Sequence, residues 1–209
     1  MIESPLSVQL RCTNGDSEIA SYVVLTPPVA NKGVMEDWWN WSGVSQERLQ
    51  AERDLKWPWP AISAKSLEHD FFEARALMTR DQRVQGCIQY ALSNFQDANE
   101  AYKDCDSELD PGASVVYVEL LATAPWNRLS LMGDKREFSG VGKALLVLAI
   151  CASYNVGYRG RLKLDAYPEV TEVYRGFGFE YIRELAESTV LMELPSMTAL
   201  QKLRERELL

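Results

Sequence analysis

The run Ser139-Gly140-Val141-Gly142-Lys143-Ala144 is the stretch whose residue types and spacing carry the most chemistry. Two glycines two positions apart let the main chain approach a ligand closely. A helix starting directly after them presents unpaired N–H groups at the positive end of its dipole. That combination is a seat for a phosphate. A Walker A loop would need G-x-x-x-x-G-K-[ST], with a hydroxyl to hold magnesium. Here Gly142-Lys143 is followed by Ala144 and the leading position is Glu137, so this class is rejected. A dinucleotide turn needs a third glycine where Leu145 stands and opens the first helix of its fold, whereas this turn lies past the middle of the chain. That class is disfavoured. A turn merely shaped by two glycines is the remaining alternative, and the residue types leave it open.

Glu119 is a carboxylate within Val115–Thr123, a segment otherwise apolar except for Thr123, and its side chain shares a strand face with Leu121 and Thr123. It is either a functional base or a structural carboxylate paired with an arginine. His69, the sole histidine, has no metal-ligand pattern around it and reads as a packing or exposed residue; no metal site is expected. Cys12, Cys87, Cys105 and Cys151 show no C-x-x-C spacing. They read as reduced thiols, with Cys151 a small core residue. Trp38, Trp39, Trp41, Trp57 and Trp59 are clustered; such a cluster fills core, binds a partner or walls a pocket.

The elements that must position these groups follow from pattern. Strands are expected at Val8–Cys12 and Ile19–Leu25, and a helix over Ser45–Lys56 that Trp57-Pro58-Trp59-Pro60 stops. Phe71–Thr79 and Val84–Leu92 form a hairpin around Arg80–Arg83. The polar stretch Asn94–Gly112 is expected to be partly helical, and Val115–Thr123 is a strand buried on both faces that Pro125 ends. A loop, Trp126–Ser139, leads to the glycine turn and to a helix apolar nearly all round, closed by Gly157. Arg161–Ala166 is the next strand. A helix opened by Pro168-Glu169 runs through Tyr174 to Gly176 and Gly178, strands follow at Phe179–Arg183 and Val190–Leu194, and Thr198–Leu209 is a terminal helix. This succession is one mixed α/β layer structure, and all 209 residues read as a single domain.

A net charge of −8 disfavours polyanions, so nucleic acid is not expected as the main ligand, and it suits a cationic acceptor. The longest strictly apolar run, Ala144–Ala152, falls far short of the ~18–20 residues that span a bilayer. No membrane segment is expected. MIESPLSVQLR shows no basic or long apolar stretch, and a cytoplasmic location is expected.

Four segments together, E-L-L-A-T-A-P-W-N-R, R-E-F-S-G-V-G-K-A-L-L, G-R-L-K-L-D-A-Y-P and V-Y-R-G-F-G-F-E, resemble the GNAT superfamily of N-acyltransferases. The resemblance covers roughly Val115–Leu194, and the hairpin Phe71–Leu92 fits the two strands before it. It implies a central, mostly antiparallel sheet with a splayed strand pair, flanked by helices. On this view 1–70 is an elaborated N-terminal part with acceptor-side helices, 71–194 the core and 195–209 a C-terminal helix. The chain departs from the family pattern where a glutamine or arginine stands before the turn: that place is Glu137, with Arg136 one residue early. A carboxylate there would repel a diphosphate unless Arg136 and Lys143 compensate.

The resemblance implies acetyl-CoA as co-substrate and direct attack by the amine of a small molecule or a protein. Main-chain groups of Leu121, Ala122 and Thr123 would bond the pantetheine. Amides of Ser139, Gly140, Val141, Gly142, Lys143 and Ala144 would hold the diphosphate, and Arg128 and Arg136 could meet phosphates. An amine of pKa ~10.4 needs a base at neutral pH. Glu119 is the first choice, its pKa expected to rise on desolvation, and Asp165 the second. Tyr174 stands at the family's tyrosine and would protonate the departing thiolate; the alternative is a core aromatic beside Phe177 and Phe179. A catalytically inactive CoA-binding or protein-interaction module is the other reading, and a monomer or homodimer fits either.

Overall fold

The computed structural model describes residues 7–93, 105–185 and 188–206. Nine strands are present among them: β1 (Ser7–Cys12), β2 (Ser17–Val24), β3 (Phe72–Thr79), β4 (Val84–Ala91), β5 (Val116–Thr123), β6 (Phe138–Ser139), β7 (Leu162–Ala166), β8 (Glu180–Glu184) and β9 (Val190–Leu194). The α-helices are α1 (Pro27–Ala30), α2 (Gln46–Gln50), α3 (Trp59–Glu68), α4 (Leu129–Met132), α5 (Val141–Asn155), α6 (Thr171–Phe177) and α7 (Ser196–Arg204). The strands form one sheet in the order β6-β1-β2-β3-β4-β5-β7-β9-β8. Antiparallel pairing joins β1 to β2 and β6, β2 to β3, and β9 to β7 and β8, while β5 and β7 run parallel. The mixed, mostly antiparallel sheet flanked by helices matches the expected class.

The chain divides into two compact units, one from Pro5–Gln89 and Leu120–Leu145, the other mainly from Tyr90–Glu119 and Leu146–Leu209. In the first, Trp38 and Trp59 are wholly buried in a core with Leu25, Val34, Leu49, Leu55, Ala74 and Val84. The indole N–H of Trp38 donates to the Val84 carbonyl at 3.0 Å. The expected helix over Ser45–Lys56 is broken into α2 and a 3-10 turn, Arg53–Lys56. Its two buried residues, Leu49 and Leu55, lie six apart, about 120° from one common helix face, and the break lets both turn inward. The Trp-Pro repeat opens a helix as well as ending one: Pro60 sits in the first turn of α3, where a missing N–H costs no helical bond. Trp126–Ser139 is not plain loop but carries α4, two 3-10 turns and β6.

Gly86, in the middle of β4, explains how α5 reaches the sheet. A Cβ there would stand 2.8 Å from Val141 Cγ1 and 3.0 Å from both the Ala122 carbonyl oxygen and Leu145 Cδ1. Only a hydrogen fits between β4 and the first turn of α5. Helix α5 itself buries every residue from Ala144 to Cys151, as its apolar sequence demands.

In the second unit the parallel register of β5 and β7 runs from Val116–Leu162 to Val118–Leu164. Beyond it no further β5–β7 register pair is formed among the described residues, although β5 runs on to Thr123 and β7 to Ala166. Of the stretch expected to be partly helical, 94–104 lies outside the described residues and 105–112 is not helical. Asp106 bridges to Ser114, and the wholly buried Glu193 carboxylate accepts from Ser107 Oγ and from the amides of Glu108 (2.7 Å) and Leu109 (3.3 Å). A carboxylate gathering consecutive amides holds a turn in place of a helix. Helix α6 follows a 3-10 turn, Pro168–Val170, runs through Gly176 and stops at Gly178, whose φ is +118°. All four cysteines are free thiols.

Candidate functional site

Gly140 closes β6 with φ +82°, a value that favours glycine, and its carbonyl accepts from the Ala144 amide at 2.9 Å. The Ala144 amide is therefore committed to the helix, contrary to expectation, and the Ala144 carbonyl accepts from Tyr22 Oη at 2.9 Å. Helix geometry leaves Val141, Gly142 and Lys143 as the amides with no carbonyl one turn back. Ser139 belongs to β6, opposite Arg11, and its hydroxyl donates to the Arg11 carbonyl at 3.4 Å. A Cβ on Gly142 would meet Leu121 Cδ2 at 3.6 Å and Thr123 Cγ2 at 3.8 Å. The bare turn thus lies beside the C-terminal end of β5, bringing Leu121 and Thr123 together with Gly142, whereas the Ala122 carbonyl lies against Gly86 of β4. A bare main chain, three helix-start amides and a neighbouring strand end fit a diphosphate carried on an extended chain.

The charges around the turn are arranged differently from expectation. Glu137 is held by Arg83, whose Nη1 lies 2.8 Å from Oε1 and 3.1 Å from Oε2. Arg83, not Arg136 or Lys143, is the ion-pair partner of this carboxylate. Arg136 donates from Nε to the Gly133 carbonyl at 3.1 Å, and Lys143 is exposed. Arg128, expected at a phosphate, is instead 7 % exposed and faces two carboxylates, Glu52 at 2.9 Å and Asp54 at 2.5 Å. Its Nε donates to the Thr123 carbonyl at 2.8 Å. A cation already desolvated between two acids is structural, and it anchors the end of β5.

The carboxylates lie in the second unit. Tyr117 and Lys163 are register partners, so Glu119 and Asp165, two residues on in each strand, share their sheet face. Glu119 is half-buried and Asp165 exposed. The Tyr117 phenol is pushed far above its usual pKa, first by burial, then by the charge of Asp165 and a hydrogen bond to it, and by the charge of Glu119. It stays protonated. Sequence reasoning took Tyr117 for a plain strand residue; its position two before Glu119 was the available signal. Tyr174 is half-buried on α6, its ring edge-on to Phe179 with centroids 5.5 Å apart. His69 is stacked on Phe71 at 5.1 Å. Among the described residues no group of three or more His, Cys, Asp or Glu could hold a metal ion, and no helix is long and apolar enough to cross a membrane.

Of the tryptophans, Trp38 and Trp59 are core and Trp39 is exposed. Trp41 meets Trp126 edge to face, centroids 6.0 Å apart.

No protein-family model matches the chain, and no curated protein is similar to it in sequence. Solved structures are similar to it in fold. The GNAT domain of S. lividans PAT superposes with a TM-score of 0.54 at 16% identity, covering 90% of this chain and 96% of that one. A point mutant of KacT gives 0.51 at 17% identity, covering 87% and 98%. An uncharacterized protein from Bacillus halodurans gives 0.59 at 9% identity, covering 95% of each. The chain has the GNAT fold.

Proposed function

We propose that this protein is an acyl-CoA-dependent N-acyltransferase that transfers an acetyl group to an amine of a small molecule or a protein. The observation that carries the reading is the bare turn Gly140–Gly142 at the start of α5, set against Leu121 and Thr123 of β5. Bound acetyl-CoA would supply an acyl carbonyl activated as a thioester. The amides of Val141, Gly142 and Lys143 hold the diphosphate, with Lys143 and Arg136 adding positive charge. Main-chain groups of Leu121, Ala122 and Thr123 orient the pantetheine as an added strand would lie. Glu119 takes the proton of the acceptor ammonium through a water, and Asp165, on the same sheet face, is the alternative base. Tyr174, protonated at neutral pH, gives its proton at the sulfur.

Calorimetry with acetyl-CoA, followed by thiol release over a panel of amines, tests this. Saturable heat and turnover are expected, with Tyr174→Phe keeping the binding and losing ~100-fold in turnover. Absence of heat at millimolar acetyl-CoA would overturn the reading, and undiminished turnover in Tyr174→Phe would remove the role given to that residue.

A further inference from the structure

A concavity lies in the unit built from Pro5–Gln89 and Leu120–Leu145, next to the Arg83–Glu137 pair that precedes the glycine turn. It measures about 410 Å³ and is lined by Glu36, Asp37, Asn40, Trp41, Arg83 and Trp126 among others. Its frame is rigid where it matters. Trp38, wholly buried with its indole N–H on the Val84 carbonyl, pins the turn that carries Glu36, Asp37 and Trp41. The Asn40 amide donates to the Glu36 carbonyl at 2.7 Å and closes that turn. Trp126 is fixed from the other side by its indole N–H on Gln85 Oε1 at 2.8 Å.

Two features define what this concavity takes. Its wall already carries a cation, since the Arg83 guanidinium stands 4.5 Å from the Trp126 ring centroid, the geometry of a cation–π contact. That guanidinium is neutralised by Glu137, so it contributes no net positive charge. On the rim, the carboxylates of Glu36 and Asp37 are exposed and have no ion-pair partner among the described residues. With the Trp126 face taken by Arg83, the half-buried Trp41 indole and two uncompensated carboxylates remain, and they attract a positive charge with a flat or alkylated head and repel an anion.

We infer that the Trp41–Trp126 concavity is a binding site for a small organic cation, a guanidinium or alkylammonium compound. The site does not depend on the acyl-transfer reading and would survive its failure.

The two tryptophans give the test an internal signal. The full-length protein is titrated with agmatine, with a capped glycine-serine peptide holding one arginine, and with glutarate as the anionic control, following indole fluorescence. Agmatine is expected to change the emission saturably while glutarate does not. Glu36→Gln with Asp37→Asn, both exposed and safe for folding, should weaken agmatine at least tenfold without altering the thermal midpoint. Trp41→Phe should weaken it less. Tighter binding of the peptide than of agmatine would assign the cation to a protein side chain and still support the site. No saturation by about 10 mM of either cation, or equal binding in the double variant, overturns it.

Discussion

Arg83 Nη1 reaches both carboxylate oxygens of Glu137, at 2.8 and 3.1 Å, across 54 positions of sequence. Glu137 sits three residues before Gly140, where a free carboxylate would repel a diphosphate. The pair is over one third exposed on each side, so it adds at most about 1 kcal/mol to stability. Its consequence is charge placement. Arg83→Gln should weaken acetyl-CoA by about fivefold, the size of a half-exposed pair. Glu137→Gln should leave affinity unchanged or raise it, and the double variant should return to wild type. The differences should shrink at high salt. Calorimetry at two ionic strengths reads this, and equal weakening by both single variants would exclude a compensating role for Arg83.

Arg128 is the reverse case, a cation spent on structure. Its guanidinium joins Glu52, Asp54 and the Thr123 carbonyl, and Ser130 Oγ donates to Glu52 at 3.0 Å. Its Nη2 is buried with no hydrogen-bond partner among the described residues. Arg128→Met strips both acids of their counter-ion and should cost about 2–4 kcal/mol, below the extreme for a buried pair because the acids keep about 20 % exposure. Arg128→Lys should recover part of this, having the charge but not the fork. Urea denaturation measures both, and a loss under about 0.5 kcal/mol, the range of ordinary surface changes, would mean the cluster is not structural.

What the sequence made legible is what local periodicity encodes. The hairpin β3–β4, the buried strand β5 and the apolar α5 follow from the alternation and composition of their own residues. The turn at Gly140–Gly142 is legible for the same reason, since glycine spacing before a helix is a local signature. The partners of Arg83 and Arg128 are not local. Glu137, Glu52 and Asp54 lie 54 to 76 positions away, and only the chain's topology chooses them. From sequence Arg83 therefore read only as the end of a hairpin turn and Arg128 as a phosphate contact, although the first is half-exposed beside Glu137 and the second is walled in by two acids. Trp59-Pro60 was ambiguous in another way: a proline that cannot continue one helix suits the first turn of the next.

Glu193 should prove a stability residue outside the site. It is wholly buried, receives Ser107 Oγ and two amides, and pairs across the strands with buried Lys163, whose Nζ donates to the Asp106 carbonyl at 2.6 Å. Glu193→Gln keeps the shape but presents amide protons to donors, and should cost about 1–3 kcal/mol. Hydrogen exchange at the Glu108 and Leu109 amides should accelerate in the same variant. Unchanged protection there would show that the carboxylate does not hold this turn.

Acid should weaken the β3–β4 turn. Asp81 accepts from Thr79 Oγ1 at 2.6 Å and from the Arg83 amide at 3.3 Å. The Thr79 hydrogen bond chiefly, with the Arg83 amide and charge behind it, holds its carboxyl below the usual carboxylate range. A folded pKa below the unfolded value of ~3.9 means this stabilisation is complete above about pH 4 and is lost as pH falls through the folded pKa. Wild type should therefore lose stability more steeply than Asp81→Asn as pH drops from about 5 to about 2.5. Urea midpoints across that range compare the two. Parallel curves would mean the carboxylate gains nothing from Thr79 on folding, and the hairpin's closure would then rest on its backbone bonds, among them the Thr79 amide to the Arg83 carbonyl at 3.0 Å.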